Sequence, residues 1–205
     1  MIYDGDIAAP KRNVSSLILA SRSPRRRELL NSLGLEVFVV PSQFQEMDVP
    51  GMQPLDLARS HAQGKALDVS AVFPGALVVG ADTVVDLDGA SLGKPRDAAE
   101  ARRMLHALSG RTHRVHTAFA VHGLDEPLER VSSTDVRFYP LTEREIDAYL
   151  ATGDSMDKAG AYGIQGAGAS LVERIDGDFY TVMGFPLGLF VRSLAERGIT
   201  LGRAG

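Results

Sequence analysis

Residues 76–89 read ALVVGADTVVDLDG, and this stretch predicts the centre of the fold. Its apolar run, Ala76–Val79, has the length and composition of a buried β-strand. At the other end, Asp88-Gly89 is a favoured hairpin turn, so the chain is expected to stay extended up to it. Asp82 follows the apolar run and is therefore expected at the carboxyl end of a buried strand, where α/β sheets place their ligand crevice.

Strands and helices alternate around this stretch, and the later strands pair as hairpins. The other predicted strands are Leu17–Ala20, Val37–Val40, 113–122, 128–138, Leu171–Ile175 and Phe179–Val182, the last two forming a hairpin across Asp176-Gly177. The predicted helices follow the N-cap residues Ser23, Asp97 and Thr142, cover Leu55–Leu67, and begin again at Pro186. This order predicts an α/β fold with a mixed central sheet and flanking helices.

The composition is that of an ordinary globular domain. The 205 residues include 44% hydrophobic and 23% charged side chains, which is enough for one domain or for two lobes around one sheet. The formal net charge of −4 argues against a nucleic-acid polymer as partner, because such binders need a basic face. There is no cysteine, which excludes disulfides, thiolate nucleophiles and cysteine-ligated metals.

No stretch predicts a membrane span or a signal peptide. The longest uncharged stretch, Ala159–Val172, is shorter than the roughly 20 residues that a membrane helix needs. The opening segment carries Asp4 and Asp6 and has no apolar core of the kind found in signal peptides. We therefore expect a cytoplasmic protein without a membrane partner.

Three consecutive arginines, Arg25, Arg26 and Arg27, occupy the first turn of the helix predicted after Ser23 and Pro24. The helix dipole already places partial positive charge there, so each arginine is expected to cost up to about 1 kcal/mol. Such a local conflict usually serves a ligand, and guanidinium groups beside free backbone N–H groups form a strong phosphate site. A solvated basic patch is the other interpretation, and the spacing alone leaves both open.

Other polar residues could complete a site, although each one alone has an ordinary explanation. Asp82 could act as a general base or hold a divalent cation, but an isolated Asp at a strand end more often caps a turn. Lys65, Lys94 and Glu46 would usually be solvated side chains. Gln165 lies in a glycine-rich loop and offers an amide edge that complements uracil or thymine, but such a residue more often bonds its own backbone.

The histidines predict neither a metal site nor a catalytic site. His113 and His116 lie in a predicted strand, where residues three apart point to opposite faces. His61, His106 and His122 are scattered along the chain, so ordinary surface or core roles are expected for them.

Several stretches, taken together and in order, resemble the Maf family of nucleoside triphosphate pyrophosphatases. The matching stretches are Ala20–Arg26, Gly80–Val85, Gly93–Asp97, Leu108–Gly110, Asp157–Gly166 and Gly184–Leu187. The resemblance covers the chain from about Leu17 to the final helix, which predicts an N-terminal extension, 1–16, and a single domain of two lobes, 17–205. One departure is Gly64, because a Glu commonly precedes the family's lysine at this point.

The resemblance implies a Maf-type fold, related to that of inosine triphosphatase, with a deep cleft between two lobes. It also implies a homodimer, a divalent metal cation (Mg²⁺ or Mn²⁺), and hydrolysis of a nucleoside triphosphate to the monophosphate and pyrophosphate. Arg25, Thr83 and Gln165 resemble the specificity residues of the branch that acts on dTTP and UTP. The branch that acts on 7-methyl-GTP typically has Trp, Gln and Glu in their places.

The resemblance further implies roles for residues of the cleft. Asp82 matches the family's catalytic aspartate, and Lys65, Lys94 and Glu46 match its charged cleft residues. The expected catalytic residues are Asp82, Lys94 and Lys65; the expected substrate-binding residues are Ser21, Ser23, Arg25, Arg26, Thr83 and Gln165; the expected metal ligands are Glu46 and Asp82.

The function expected from this resemblance is removal of dTTP, UTP and modified pyrimidine nucleotides from the nucleotide pool. Two alternatives remain at this point. One is a nucleotide-binding regulator of septum formation with little catalysis, and the other is a 7-methyl-GTP pyrophosphatase.

Overall fold

The computed structural model describes residues 12–47, 49 and 51–202. The strands are β1 (Arg12–Val14), β2 (Ser16–Leu19), β3 (Glu36–Val39), β4 (Val78–Leu87), β5 (Ala90–Leu92), β6 (Thr112–His122), β7 (Leu128–Phe138), β8 (Val172–Asp176) and β9 (Ile199–Leu201). The α-helices are α1 (Pro24–Asn31), α2 (Pro54–Val72), α3 (Ala98–Leu108), α4 (Glu143–Leu150), α5 (Phe179–Met183) and α6 (Leu187–Glu196). Two 3₁₀ turns, Ala159–Ala161 and Gly166–Leu171, lie in the glycine-rich segment.

A seven-stranded mixed sheet crosses the molecule in the order β3-β2-β4-β6-β7-β8, with β5 paired to β4 outside this path. β2 runs parallel to β3 and β4, whereas β4, β6, β7 and β8 pair antiparallel in succession. The predicted α/β class, with a mixed central sheet and flanking helices, is therefore confirmed. Within the described ranges, no helix is both long and apolar enough to cross a bilayer.

The central strand β4 is longer than predicted. It runs without a break from Val78 to Leu87, because β6 pairs with it antiparallel as far as Asp86. Its parallel partner β2 reaches only Val78 and Val79. Asp82 therefore lies inside β4 and not at its end, but beyond the point at which the parallel pairing stops. The crevice expected at the end of a parallel strand opens at this point.

The two largest hydrophobic cores lie at the two ends of the sheet. One contains Leu30 and Phe190, which belong to α1 and α6 and are completely buried. The other contains Leu105 and Phe138, which belong to α3 and β7 and are also completely buried. Each core holds one half of the sheet against its own helices, so residues between the two cores can face an open cleft.

The fold begins earlier in the chain than predicted. Arg12–Val14, expected to belong to a loose extension, forms β1 and pairs in parallel with β9, Ile199–Leu201. Val14 is buried in the first core, which fixes the strand. The local sequence pattern of this short polar segment does not predict a strand, because the partner strand comes from the other end of the chain. Residues 1–11 of the predicted extension lie outside the described residues.

The strand predicted at Phe179–Val182 is wrong, because this segment forms the short helix α5. Asp178 caps the helix by accepting a hydrogen bond from the backbone N–H of Thr181 at 2.7 Å. Gly184 ends it in a left-handed conformation, φ 109°, that glycine adopts without strain. Local capping therefore outweighs the β-propensity of the aromatic and branched residues.

The three predicted N-caps are confirmed. The side chains of Ser23, Asp97 and Thr142 each accept a hydrogen bond from the backbone N–H three residues later. At Thr142 the side chain of Glu145 completes a capping box. These caps fix where α1, α3 and α4 begin, and the first of them places the arginine cluster.

Gly80 allows α2 to lie directly on β4. A Cβ atom at this position would come within 2.4 Å of the carbonyl oxygen of Ala62 and 2.5 Å of the backbone nitrogen of Ala66. Both atoms belong to helix backbone, which cannot move aside as the end of a flexible side chain can. The close approach places the α2 residues between Ala62 and Ala66 over the part of β4 that follows Gly80. This part of the strand contains Asp82.

We expect Gly80→Ala to lower the free energy of unfolding by about 1–3 kcal/mol, because the added methyl group overpacks a helix–strand contact. Urea denaturation followed by circular dichroism measures the change. Gly188→Ala is the matched control, since a Cβ atom there meets nothing within 4 Å and α6 gains a better helix former. Equal stability of the two variants would contradict the proposed contact.

Candidate active site

One cleft of about 1120 Å³ collects all of the residues that the sequence suggested for a site. Its lining includes Ser21, Ser23, Arg25, Arg26, Glu46, Lys65, Asp82, Thr83, Lys94 and Gln165. They come from α1, α2, β4 and the loops after β2, β3, β5 and α4, so widely separated parts of the chain meet here. The structure brings these residues together; the individual role of each stays a prediction.

Asp82 is the most enclosed acidic group of the cleft, with 7% of its surface exposed. Its Oδ1 accepts a hydrogen bond from Lys65 Nζ at 2.7 Å, and its Oδ2 lies 3.2 Å from His61 Nδ1. Burial alone would raise the pKa of Asp82, but the hydrogen bond to His61 and the nearby positive charges outweigh it, so the pKa lies below its ordinary value. The carboxylate is therefore ionised at neutral pH and held in one orientation.

Lys65 joins two carboxylates. Its ammonium lies 2.8 Å from Glu46 Oε1 as well as 2.7 Å from Asp82 Oδ1, and the side chain is 10% exposed. A buried ammonium is stable only when paired, and here two acidic partners surround it. These contacts join Lys65, Glu46 and Asp82 into one charged cluster.

His61 was expected to have an ordinary role, and the structure places it in the cleft instead. It is 6% exposed and contacts Asp82, and its Nε2 lies 3.2 Å from the carbonyl oxygen of Met47. The hydrogen bond to Asp82 is the main reason why the pKa of His61 is raised, against the opposing effect of burial. The spacing to Lys65 could have indicated this position, because helix residues four apart share a face.

Arg26 contacts the residues on either side of Asp82, one through its backbone carbonyl and the other through its side-chain hydroxyl. The guanidinium group is buried and donates to Ser21 Oγ (3.1 Å), Ala81 O (2.9 Å), Thr83 Oγ1 (3.0 Å) and Gly184 O (2.9 Å). Four of its five N–H donors are thus used within the protein. The side chain expected to contact substrate therefore also ties α1 to the central strand and to the end of α5.

The two serines of the arginine stretch shape the loop between β2 and α1. Ser23 Oγ caps α1, and Ser21 Oγ accepts hydrogen bonds from the backbone N–H of Ser23 at 3.2 Å and from Arg26. Both hydroxyl oxygens thus act as acceptors within the protein. Their own hydrogens stay free to donate to an anion at the helix N-terminus.

The opposite wall of the cleft holds more exposed side chains. Arg25 Nη1 lies 3.5 Å from Asp157 Oδ2, a partly exposed ion pair that reaches across the cleft. The side chains of Lys94 and Gln165 are exposed, and within the described ranges neither makes an ion pair or a side-chain hydrogen bond. These three residues are placed to adapt to a ligand, in contrast to the buried cluster around Asp82.

Glu46, His61 and Asp82 each offer one metal-ligating atom, and these atoms lie within 4.8 Å of one another. Lys65 contacts one oxygen of each carboxylate, and the other oxygen of Asp82 faces His61 Nδ1. Carboxylate oxygens are ligands of Mg²⁺ and Mn²⁺, and imidazole is a common ligand of transition metals. The donor set therefore fits a divalent cation.

The family of the chain follows from its sequence relatives. The family described as Maf-like protein matches residues 16–197, and the chain belongs to it. A dTTP/UTP pyrophosphatase of Bacillus velezensis is 48% identical over 183 residues, which is 89% of this chain and 97% of that protein. Proteins with the same name from Symbiobacterium thermophilum and Pyrococcus furiosus are 47% and 43% identical, covering 94% and 93% of this chain and 99% of each relative.

Solved structures give a weaker likeness. A HAM1 protein from Coxiella burnetii is 19% identical, with a TM-score of 0.41 over 60% of this chain and 72% of that chain. The likeness adds nothing to the family assignment, which rests on the sequence relatives.

We expect Arg26→Lys to lower the free energy of unfolding by about 2–4 kcal/mol, because an ammonium group cannot span acceptors on three segments and leaves some of them unpaired. Thermal and urea unfolding measure the effect. Arg27→Lys is the control: Arg27 is the exposed neighbour on α1, and its change should stay within about 0.5 kcal/mol. A stable Arg26→Lys protein would show that the four contacts contribute little.

Proposed function

We propose that this protein is a nucleoside triphosphate pyrophosphatase that hydrolyses dTTP and UTP to the monophosphate and pyrophosphate. The observation that carries the proposal is the buried Asp82 carboxylate, fixed by Lys65 and His61 in a cleft that is also lined by several cationic side chains, among them Arg25 and Lys94. An ionised acid beside several cations suits attack of water on a polyphosphate. The curated relatives at 43–48% identity carry this activity in their names.

In the proposed reaction, Asp82 orients a water molecule for attack on the α-phosphorus. The bond from the α-phosphorus to the oxygen bridging the β-phosphate breaks, and pyrophosphate leaves with that oxygen. Each carboxylate oxygen can accept more than one hydrogen bond, so the contacts with Lys65 and His61 leave room for water. Asp82 takes the water proton as the new P–O bond forms.

The cations of the cleft would stabilise the charge that develops on pyrophosphate. Lys94 and Arg25 are available to the phosphate oxygens, and the hydroxyls of Ser21 and Ser23 donate from the start of α1. Glu46 and Asp82 would hold a divalent cation, Mg²⁺ or Mn²⁺. Such an ion would supply further neutralisation of the phosphate charge.

We further propose that Gln165, Thr83 and Arg25 select the pyrimidine nucleotide. The amide of Gln165 presents a donor and an acceptor side by side, which complements the edge of uracil or thymine. Thr83 Oγ1 is held by Arg26 at 3.0 Å and by Thr117 Oγ1 at 2.9 Å, so its position is fixed. A site built on such hydrogen bonds rejects bases that leave its groups unpaired.

The cellular role that follows is cleaning of the nucleotide pool, including base-modified pyrimidine nucleotides. A homodimer and a cytoplasmic location complete the proposal. Neither is needed for the reaction as described, since all of the proposed groups come from one chain. Size-exclusion chromatography with light scattering tests the dimer.

We expect Asp82→Asn to lower kcat by about 10²–10⁴-fold, because the amide cannot accept the water proton as the carboxylate does. Pyrophosphate release from dTTP measures the loss. Asp86→Asn is the control, since Asp86 lies on the same strand but outside the cleft. Unchanged turnover by a folded Asp82→Asn protein would remove Asp82 from this role, and nucleotide binding without pyrophosphate release by the wild type would favour the regulator instead.

We expect the wild type to prefer dTTP and UTP to ATP and GTP, and Gln165→Ala to reduce this preference about tenfold, which corresponds to the loss of about 1.4 kcal/mol of discrimination. The measurement is kcat/KM for pyrophosphate release from each triphosphate. Gln63→Ala is the control, because Gln63 is exposed on α2 and does not line the cleft. Preference for GTP or 7-methyl-GTP would contradict the pyrimidine assignment.

A further inference from the structure

His61 places both of its ring nitrogens against acceptors. Its Nε2 faces the carbonyl oxygen of Met47 at 3.2 Å, and a carbonyl oxygen only accepts hydrogen bonds, so Nε2 carries a hydrogen. Its Nδ1 faces Asp82 Oδ2 at 3.2 Å, and the ionised carboxylate also only accepts. The contact with Asp82 therefore needs a positive species at Nδ1, which is either a second proton on the imidazole or a metal ion.

A metal ion bound at Nδ1 would take the place of the second proton, and the surroundings supply further ligands for it. A carboxylate oxygen of Glu46 lies within 4.8 Å of the other two donor atoms, so three ligands converge on one point. A metal-binding histidine almost always donates its other N–H to a backbone carbonyl or carboxylate, which is the contact that Met47 provides.

The neighbouring packing keeps this arrangement in place. A Cβ atom on Gly64 would lie 2.3 Å from the ring of Phe44, so Phe44 packs directly on α2 at this glycine. The Phe44 and His61 rings also meet edge to face, with centroids 6.1 Å apart. The segment that carries Glu46 and Met47 is thereby held against the helix that carries His61. Gly64, which departs from the glutamate common in the family, thus supports the donor set.

We propose that His61 is a metal ligand through Nδ1, together with Glu46 and Asp82, and that the site prefers a first-row transition-metal ion such as Mn²⁺ or Co²⁺ to Mg²⁺. The inference rests on the proposed function, which calls for a divalent cation beside Asp82. Replacing one oxygen ligand by imidazole nitrogen strengthens binding of transition metals, whereas Mg²⁺ prefers oxygen. The charge also suits a cation, because Lys65 neutralises only one of the two carboxylates.

The first test is spectroscopic and needs no turnover. Metal-free full-length protein is loaded with Mn²⁺ in the absence of nucleotide, and electron spin echo modulation is recorded. We expect a ¹⁴N coupling from a bound imidazole in the wild type. Bound Mn²⁺ without ¹⁴N coupling would overturn the proposal and make His61 a protonated partner of Asp82. Absence of Mn²⁺ and Co²⁺ binding at millimolar concentration would overturn it too.

The second test compares variants by titration calorimetry. His61→Leu keeps most of the side-chain volume and removes both nitrogens, and we expect it to weaken Co²⁺ binding about tenfold or more while Mg²⁺ binding changes less than about threefold. His106→Leu is the matched control, because His106 lies on α3 outside the cleft. Equal losses for Co²⁺ and Mg²⁺ would contradict a nitrogen ligand. If His61→Leu fails to fold, the wild-type spectrum decides.

The two proposals can fail separately. Pyrophosphate release from dTTP with Mg²⁺ or Mn²⁺ is measured on the same preparations. Release without ¹⁴N coupling would leave the pyrophosphatase standing and remove His61 from the metal. Coupling without release from any triphosphate would leave the metal site standing and remove the proposed function.

Discussion

The buried carboxylate of Asp82 is the constraint on which the rest of the structure depends. A negative charge that is 7% exposed is stable only if cations and hydrogen-bond donors surround it. Lys65 and His61 supply them, and both come from α2, one helical turn apart. The helix must therefore lie close to the strand that carries the acid. Gly80, two residues before Asp82, provides that closeness because it has no side chain.

The same strand is held from its other side by Arg26. Neighbouring residues of a strand point to opposite faces, and Arg26 contacts Ala81 and Thr83, the residues just before and after Asp82. The acid is thus held through its side chain by α2, and its two neighbours on the strand are held by α1. Arg26 also reaches Gly184, so the end of α5 is joined to the same point. Of the three consecutive arginines in the first turn of α1, the middle one therefore has a structural role, whatever further contact it makes with substrate.

The order of strands and helices could be predicted because it depends on local pattern and capping. The N-caps at Ser23, Asp97 and Thr142 are signals of a few residues each, and all three are correct. The errors come from partners distant in the chain. Pairing with β6 extends β4 past Asp82, and pairing with β9 makes a strand of Arg12–Val14.

Most residues of the candidate site could be predicted from the sequence, but the contacts between them could not. Motif resemblance collects ten residues that do line one cleft. It does not indicate that Arg26 is buried and satisfied within the protein, because that depends on where Ala81, Thr83 and Gly184 end up in space. His61 was missed for a related reason. Its helical spacing to Lys65 is visible in the sequence, but the spacing gains meaning only when β4 places a carboxylate opposite both side chains.

The two walls of the cleft differ in rigidity, and the difference matches what a selective hydrolase needs. The wall around Asp82 is mostly buried and is held by ion pairs and hydrogen bonds, so its groups are held at fixed distances before a ligand arrives. On the other wall, Lys94 and Gln165 are exposed, and the ion pair between Arg25 and Asp157 is partly solvated and therefore weak. A charged ligand can exchange that weak pair for stronger contacts at little energetic cost. Chemistry that depends on sub-ångström placement thus belongs to the rigid wall, and recognition of the ligand's charge and base belongs to the adaptable one.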